Sequence, residues 1–173
     1  MKNLGFGILM CVTLAAAALY AAKGDDDVLR QARDRVEIED LMWRYARALD
    51  TGNADAYVAV YTPDGQFSSG ANVTKGADAL RKMMAGQAAP AAAPGATAAA
   101  PARRAPMYHM TANHRVSFTD KDHARVEAYY LTAAAANGEA SPLRVLAVGR
   151  SIDDVVRVNG KWLIKSRNVQ PQD

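Results

Sequence analysis

The chain has 173 residues, with 21 Lys and Arg against 18 Asp and Glu and a formal net charge of +3. This length allows one domain with a hydrophobic core. The near balance of charge, without clustered basic and aromatic residues, argues against nucleic-acid binding. The single cysteine, Cys11, excludes an internal disulfide and a metal site built from several thiolates. His109, His114 and His123 are too scattered to predict a metal site from their spacing.

The first 22 residues differ in composition from the rest. Lys2 precedes an apolar run over residues 4–19, and Ala21-Ala22 follows. This pattern predicts a signal peptide over residues 1–22, which would direct the mature domain, residues 23–173, to the periplasm or out of the cell. The alternative is an uncleaved membrane anchor, since about 20 apolar residues span a bilayer.

A long amphipathic helix is predicted over residues 25–50. Gly52 ends it, because glycine readily takes the left-handed conformation that follows many helices. Either Thr51 or Asn53 caps a second helix over residues 54–61. The first helix carries apolar residues at helical spacing, which predicts one buried stripe: Ile38, Leu41, Met42, Tyr45 and Leu49.

Turn residues Thr62–Gly65 separate the second helix from a strand that begins at Gln66. A third helix is predicted over residues 76–84. Residues 86–106 contain mainly Ala, Pro, Gly and Thr, and their repeated prolines forbid a continuous helix. We therefore predict a flexible insertion there, which is either a tolerated surface loop or a lid over a pocket.

Helices followed by antiparallel strands predict an α+β fold, with the helices on one face of the sheet. Strict alternation in the first long strand places His114 on its apolar face and His109 with Asn113 on the opposite face, unless a bulge near Pro106 reverses the order. Asp153 is expected to form an exposed strand pair of little energetic value. The four long strands are predicted at residues 108–118, 123–136, 143–158 and 161–169.

The segment from Val36 to Phe67 resembles the opening of SnoaL-like proteins, members of the nuclear transport factor two (NTF2-like) superfamily. The resemblance resumes at His109–Asn113 and at Gly149-Arg150, and it covers roughly residues 30–171. The matching residues of the opening are Ile38, Leu41, Arg44, Tyr45, Ala48, Asp50, Asp55, Tyr61, Thr62, Asp64, Gly65 and Phe67.

The resemblance implies a cone-shaped fold in which three N-terminal helices pack on a strongly curved, mostly antiparallel sheet. An apolar pocket at the open end of the cone would bind a small hydrophobic or aromatic molecule. The resemblance also implies a homodimer that pairs through the outer face of the sheet. It does not specify the reaction, because one fold hosts many functions.

Scytalone dehydratases, distant members of this superfamily, combine an aspartate at the end of the first helix with a histidine on the first long strand. Asp50 and His109 are similarly placed, which implies a catalytic pair that shares a proton near neutral pH. A second histidine of that site is missing, since Ala133–Ala136 occupies its region, so dehydration of that kind is not expected. From the residues alone, Asp50 is also explained as a solvent-facing turn residue and His109 as an outer-face residue.

Aromatic side chains supply candidate substrate-binding groups. In the steroid isomerases of the superfamily, a tyrosine at a position similar to Tyr45 helps to hold the oxyanion of the ligand. Tyr57, Tyr61 and Asn113 complete the predicted substrate-binding set. Tyr57 and Tyr61 have the alternative of packing in the core or at the rim of the pocket.

Two functions remain open for an exported SnoaL-like domain. The first is a cofactor-independent lyase or isomerase that works through Asp50 and His109. The second is a non-catalytic module with the same pocket that binds a ligand or a protein partner. No metal and no cofactor are expected, and contact with a membrane is expected only if the leader remains uncleaved.

Overall fold

The structure, a computed structural model, describes residues 4–87, 107–135 and 143–170. The chain divides into two units, Met1–Glu37 and Ile38–Asp173. Within the described residues, no helix is both long and apolar enough to cross a membrane. The predicted leader, residues 1–22, has no described side chains, and its role stays a prediction.

The helices are α1 (Leu4–Thr51), α2 (Ala54–Ala59) and α3 (Ala77–Gln87). Helix α1 begins well before the predicted residue 25, but it ends where the sequence predicts. Gly52 follows it with a φ of 64°, in the left-handed region. The side chain of Asn53 then caps α2, because its oxygen accepts a hydrogen bond from the N–H of Ala56 at 2.9 Å. Most of the predicted insertion, residues 88–106, lies outside the described residues.

One six-stranded sheet forms the other layer of the second unit, in the order β2-β1-β6-β5-β4-β3. Neighbouring strands are antiparallel except for β1 and β6, which are parallel. The second unit is therefore a mixed α+β fold, with helices packed on a curved, unclosed sheet. The strands are β1 (Tyr61–Ser69), β2 (Asn72–Lys75), β3 (Met107–Phe118), β4 (His123–Ala135), β5 (Leu143–Val158) and β6 (Lys161–Asn168).

Strand β1 begins earlier than predicted. Tyr61 belongs to this strand and not to α2, and Thr62–Gly65 lies within it instead of forming a separate turn. Residues Thr62–Gly65 still interrupt the regular pairing of the strand, because the register of β1 with β6 shifts between Tyr61 and Gln66. Strand β2, which was not predicted, follows a turn at Gly70, where φ is 58°.

The predicted apolar stripe of α1 forms part of the hydrophobic core. Ile38, Leu41, Met42, Tyr45 and Leu49 are all buried, with at most 7% of their surface exposed. They belong to one cluster with buried residues of the sheet, among which Val126, Val155 and Ile164 are fully buried. Burial of this stripe fixes the rotation of α1 about its axis, and this determines where Asp50, one residue after Leu49, can reach.

Candidate functional site

A cavity of about 230 Å³ lies in the second unit. Its described lining comes from all three helices and from β1, β3, β4, β5 and β6. Apolar side chains such as Leu49, Phe67 and Met83 alternate with the hydroxyl groups of Thr111 and Tyr130. A mostly apolar wall with a few polar groups is typical of small-molecule binding sites.

Asp50, in the last turn of α1, contacts His109 on β3. The backbone N–H of His109 donates a hydrogen bond to Asp50 Oδ1 at 2.8 Å, and His109 Nδ1 lies 2.9 Å from the same oxygen. Two donors on one oxygen hold the carboxylate in place, and the second contact fixes the orientation of the imidazole ring. The structure therefore brings together the two residues that the sequence singled out as a catalytic pair.

The two members of the pair have different relations to the cavity. His109 lines it, whereas Asp50 is not among the described lining residues. Only 11% of the Asp50 side chain and 21% of the His109 side chain are exposed. A carboxylate only accepts hydrogen bonds, so Nδ1 carries the proton and a neutral ring has its lone pair on Nε2. In chemical terms, His109 can exchange a proton with a ligand, and Asp50 can orient the His109 ring.

A bulge in β3 explains why His109 lies on the inner side of the sheet. The pairing with β4 shifts register between Ala112 and Arg115, and Asn113 within that interval has a φ of 56°. The extra residue changes the alternation, so that His109 and His114 share one side of the strand. The expectation of strict alternation was therefore wrong, and the bulge lies near Asn113 instead of near Pro106.

His114 was the geometric rival of His109, but it is not among the described residues that line the cavity. Burial lowers its pKa, which favours the neutral ring. Its Nε2 atom is buried without a hydrogen-bond partner within the described part of the chain. His114 is thus a partly buried neighbour of the core and has no contact that would make it a proton donor to the cavity.

Three of the predicted aromatic residues form a buried cluster beside the cavity. The Tyr57 and Tyr61 hydroxyls lie 3.0 Å apart, and the ring centroids of Tyr45 and Tyr57 lie 5.5 Å apart. Tyr45 and Tyr57 line the cavity, but Tyr61 does not. Burial raises the pKa of all three phenols, so they stay protonated and serve as hydrogen-bond donors, not as bases.

Asn113, the fourth predicted substrate-binding residue, is exposed and is not among the described residues that line the cavity. Its left-handed conformation, which asparagine tolerates better than most residues, accounts for its place in the bulge. The geometry thus assigns Asn113 a part in shaping β3 and gives no support to a contact with ligand.

Asp153 and Arg167 form a buried ion pair, with Arg167 in the lining of the cavity, and the sequence did not predict this pair. Arg167 Nη1 donates to Asp153 Oδ2 at 2.5 Å, and the two side chains are 2% and 0% exposed. The expectation of an exposed pair at Asp153 was wrong. Alternation along β5 was the available signal, since Asp153 shares its face with the core residue Val155.

The pKa values of both partners of this ion pair are shifted. Burial raises the pKa of Asp153 to about 6, and the attraction of Arg167 limits that rise. Burial alone would lower the pKa of Arg167, but the attraction of Asp153 and of the neighbouring tyrosines outweighs this effect. The pKa is therefore raised overall, and the guanidinium stays charged. Its carbon atom lies 4.2 Å from the centroid of the Tyr45 ring, which adds a cation–π contact.

Tyr130 is held against the cavity by its surroundings. Its hydroxyl donates to the carbonyl oxygen of Val169 at 3.1 Å. Its ring lies over Gly149, its partner on β5, where an added Cβ atom would lie 2.7 Å from the Tyr130 oxygen. Glycine at position 149 is therefore required by the position of this ring.

Within the described residues, no group of three or more His, Cys, Asp or Glu side chains is arranged to hold an ion.

Solved structures with the same fold come from several bacteria. A single-residue variant of Rv3472, a protein of unknown function from Mycobacterium tuberculosis, is 22% identical, with a TM-score of 0.68 over 84% of this chain and 75% of that one. A provisionally assigned scytalone dehydratase from Novosphingobium aromaticivorans is 22% identical, with a TM-score of 0.65 over 82% and 85%. An NTF2-like protein with a cystatin-like fold from the same organism is 19% identical, with a TM-score of 0.66 over 85% and 87%.

At these low sequence identities, the similarity to the solved structures shows a shared fold alone. No curated protein matches the chain significantly in sequence. The family model of the SnoaL-like domain matches residues 30–168, which is most of the chain. The protein is therefore a member of the SnoaL-like family.

Proposed function

We propose that the cavity binds a small hydrophobic or aromatic molecule and transfers a proton within it, as a cofactor-independent isomerase or lyase. His109 is the general base and acid, Asp50 orients it, and Tyr45 and Tyr57 donate hydrogen bonds to the ligand. The fold family supports small-molecule binding of this kind. Proton transfer by a positioned side chain accounts for about 10²–10⁴-fold of the rate in enzymes that use it.

One observation carries this proposal: His109 lines the cavity while its Nδ1 lies 2.9 Å from Asp50 Oδ1. The carboxylate keeps the proton on Nδ1 and stabilises the positive ring that forms when Nε2 takes a proton from the ligand. An imidazole held in this way can also return the proton to a second atom of the same ligand, which is an isomerisation.

The alternative function is ligand binding without turnover. Among the described lining residues, His109 is the one imidazole, and none is a carboxylate or a thiol. Elimination of water needs an acid as well as a base, so a lyase would have to use His109 in both roles. Isomerisation also uses His109 in both roles, so this scarcity of acid–base groups does not separate the two reactions, and it is equally compatible with a binding module.

Deuterium exchange separates these functions without knowledge of the natural substrate. Phenylacetone is a suitable probe, because it has one ring and an acidic CH₂ group beside a carbonyl. In D₂O, the wild-type protein is expected to accelerate exchange at this CH₂, followed by proton NMR. His109→Gln is expected to lower the exchange rate by about 10²-fold or more. Asp50→Asn is also expected to lower this rate.

The chain offers a matched control for these two variants. Asp120 and His123 form an exposed pair with Nδ1 and Oδ1 also 2.9 Å apart. His123→Gln and Asp120→Asn are expected to leave exchange unchanged. Binding of the probe without exchange would favour the ligand-binding module, and exchange that persists in His109→Gln would contradict the role of this residue.

A homodimer is a further part of the proposal. Strand register aligns Met110, Leu131 and Val148 in one row of the outer sheet face and Tyr108 with Val145 in the next. Met110 and Val148 are 51% and 72% exposed. Exposed apolar patches of this kind mark interaction surfaces, and Val148→Glu is expected to convert a dimer to a monomer in size-exclusion chromatography with light scattering.

Export is also proposed, on the composition of residues 1–22. Mass spectrometry of the protein isolated from the cell envelope checks it: loss of this segment is expected, and an intact Met1 would favour the membrane anchor.

A further inference from the structure

Arg167 is a full positive charge in the wall of a small cavity. It lines the cavity although only 2% of its surface is exposed. The carbon atom of its guanidinium lies over the Tyr45 ring, 4.2 Å from the ring centroid. Long basic side chains normally place their charge in water, so the position of this one at the end of β6 is unusual.

Not every N–H group of the Arg167 guanidinium has a hydrogen-bond partner within the described residues. Its Nη1 atom contacts Asp153 Oδ2 and, at 3.8 Å, the sulfur of Met42. The Nε atom is buried with no hydrogen-bond partner within the described residues. Asp153 is not among the described lining residues. The cavity is therefore bordered by the positive member of the pair, while the negative member lies outside the lining.

Stability does not explain why such a pair is present. Removing two charges from water is expensive, and well-packed apolar residues of similar volume are often as stabilising as a buried ion pair. A ligand that supplies an oxygen acceptor would use the hydrogen-bonding capacity that the protein leaves open. The cavity also restricts the size of that ligand, since about 150 Å³ accommodates benzene and this one measures about 230 Å³.

We propose that Arg167 is a ligand-binding residue and that Asp153 positions it, so that the cavity selects a single-ring molecule with a negatively charged oxygen or a carbonyl that becomes one. This inference rests on the proposed function for its chemistry. When His109 Nε2 takes a proton from the carbon beside a carbonyl, the C–H electron pair forms a C=C bond and the carbonyl π pair moves onto oxygen. The resulting enolate oxygen is stabilised by the charge of Arg167.

Two isosteric probes test the selection directly in the wild-type protein. Benzoate and benzamide share one ring and differ in the charge of the attached group. At pH 8 and low salt, benzoate is expected to bind at least about tenfold more tightly than benzamide in NMR titrations, a difference of about 1.4 kcal/mol. Equal affinities, or tighter binding of benzamide, would overturn the proposal.

Variants locate the source of the preference. Asp153→Asn with Arg167→Gln removes both charges together, so that neither is left buried and unpaired, and it is expected to abolish the preference for benzoate. The exposed pair of Arg125 and Asp154, 3.0 Å apart, supplies the control: Asp154→Asn with Arg125→Gln should retain it. If the first double variant does not fold, the wild-type comparison still decides.

The same titrations distinguish this inference from the proposed catalysis. His109→Gln should keep the benzoate preference, because Arg167 and not the imidazole is its source. A preference that disappears in His109→Gln would overturn the role of Arg167. Failure of deuterium exchange alone, with the preference intact in wild type, would overturn the catalytic proposal and leave the oxygen-anion site.

Discussion

Asp50 and Asp153 are two largely buried carboxylates with different environments. Asp50 keeps 11% exposure and accepts two hydrogen bonds from His109. Asp153 is fully buried, with one oxygen on Arg167 and Oδ1 without a partner in the described part of the chain. The first carboxylate orients the imidazole ring of His109, whereas the second balances a charge that would otherwise be buried alone.

Removal of Arg167 tests how much Asp153 depends on it. Arg167→Met leaves a buried carboxylate without a cation, which typically lowers the free energy of unfolding by about 3–5 kcal/mol. We expect such a loss at pH 8 in urea unfolding. Arg125→Met, which removes an exposed pair, is expected to cost about 0–1 kcal/mol. A loss of similar size in both variants would contradict the importance of the buried pair.

The loss of stability in Arg167→Met is expected to depend on pH. Burial raises the pKa of Asp153 to about 6 even beside Arg167, above its value in the unfolded chain, and loss of the cation raises it further. The stability that comes from the protonated form is present at low pH and is lost as pH rises through the folded pKa. Arg167→Met should therefore be less destabilised at pH 5 than at pH 8, and a deficit independent of pH would contradict this assignment.

At the scale of elements, the bulge in β3 decides which side chains reach the cavity. Deletion of Asn113 removes the extra residue, while Val116 and Phe118 keep the following segment packed on the core. The preceding segment should then rotate by one position, because neighbouring residues of a strand face opposite sides. His109 is expected to become exposed and to lose its contact with Asp50.

This deletion is checked by two measurements on one sample. Circular dichroism is expected to stay close to wild type, and exchange of phenylacetone is expected to fall to the level of His109→Gln. Asn113→Gly, which suits the φ of 56°, is the control and should leave both unchanged. Retention of exchange after the deletion would show that the bulge does not place His109.

Strands β4 and β5 determine the shape of the cavity at Tyr130. Gly149→Ala would place a methyl group 2.7–2.9 Å from the Tyr130 hydroxyl and ring, so the ring must move and its bond to Val169 must weaken. We expect a loss of about 1–3 kcal/mol in thermal or urea unfolding and weaker binding of benzoate. Adding Tyr130→Ala should relieve the clash, so a double variant no more stable than Gly149→Ala would contradict this explanation.

Local patterns predicted the elements whose partners are close in sequence. The stripe from Ile38 to Leu49 and the glycine stop at Gly52 follow from helix geometry alone, and the structure contains both. Of the two predicted caps for the second helix, Thr51 and Asn53, the structure uses Asn53. The turn signal at Thr62–Gly65 was misinterpreted, because pairing with the distant strand β6 holds these residues within β1. A register shift of this type depends on tertiary contacts that no local window contains.

At the scale of the whole molecule, the candidate site joins parts of the chain that are far apart in sequence. Asp50 and His109 are 59 residues apart, and Arg167 comes from the last strand. The resemblance to SnoaL-like proteins singled out the first two residues, because they stand in recognisable surroundings. It did not single out Arg167, since its pairing depends on β5 and β6 lying side by side and on Asp153 facing inward.

The proposed function depends on Asp50 holding His109 with its proton on Nδ1 and its free nitrogen available to a ligand in the cavity. Ring ¹⁵N NMR of His109 at pH 8 tests it most directly, in the wild type and in Asp50→Asn, with and without phenylacetone. We predict the Nδ1–H tautomer in the wild type, a shift of the Nε2 signal on addition of the probe, and loss of the tautomer preference in Asp50→Asn. A wild-type ring protonated on Nε2, or an Nε2 signal that does not respond to a bound probe, would contradict it.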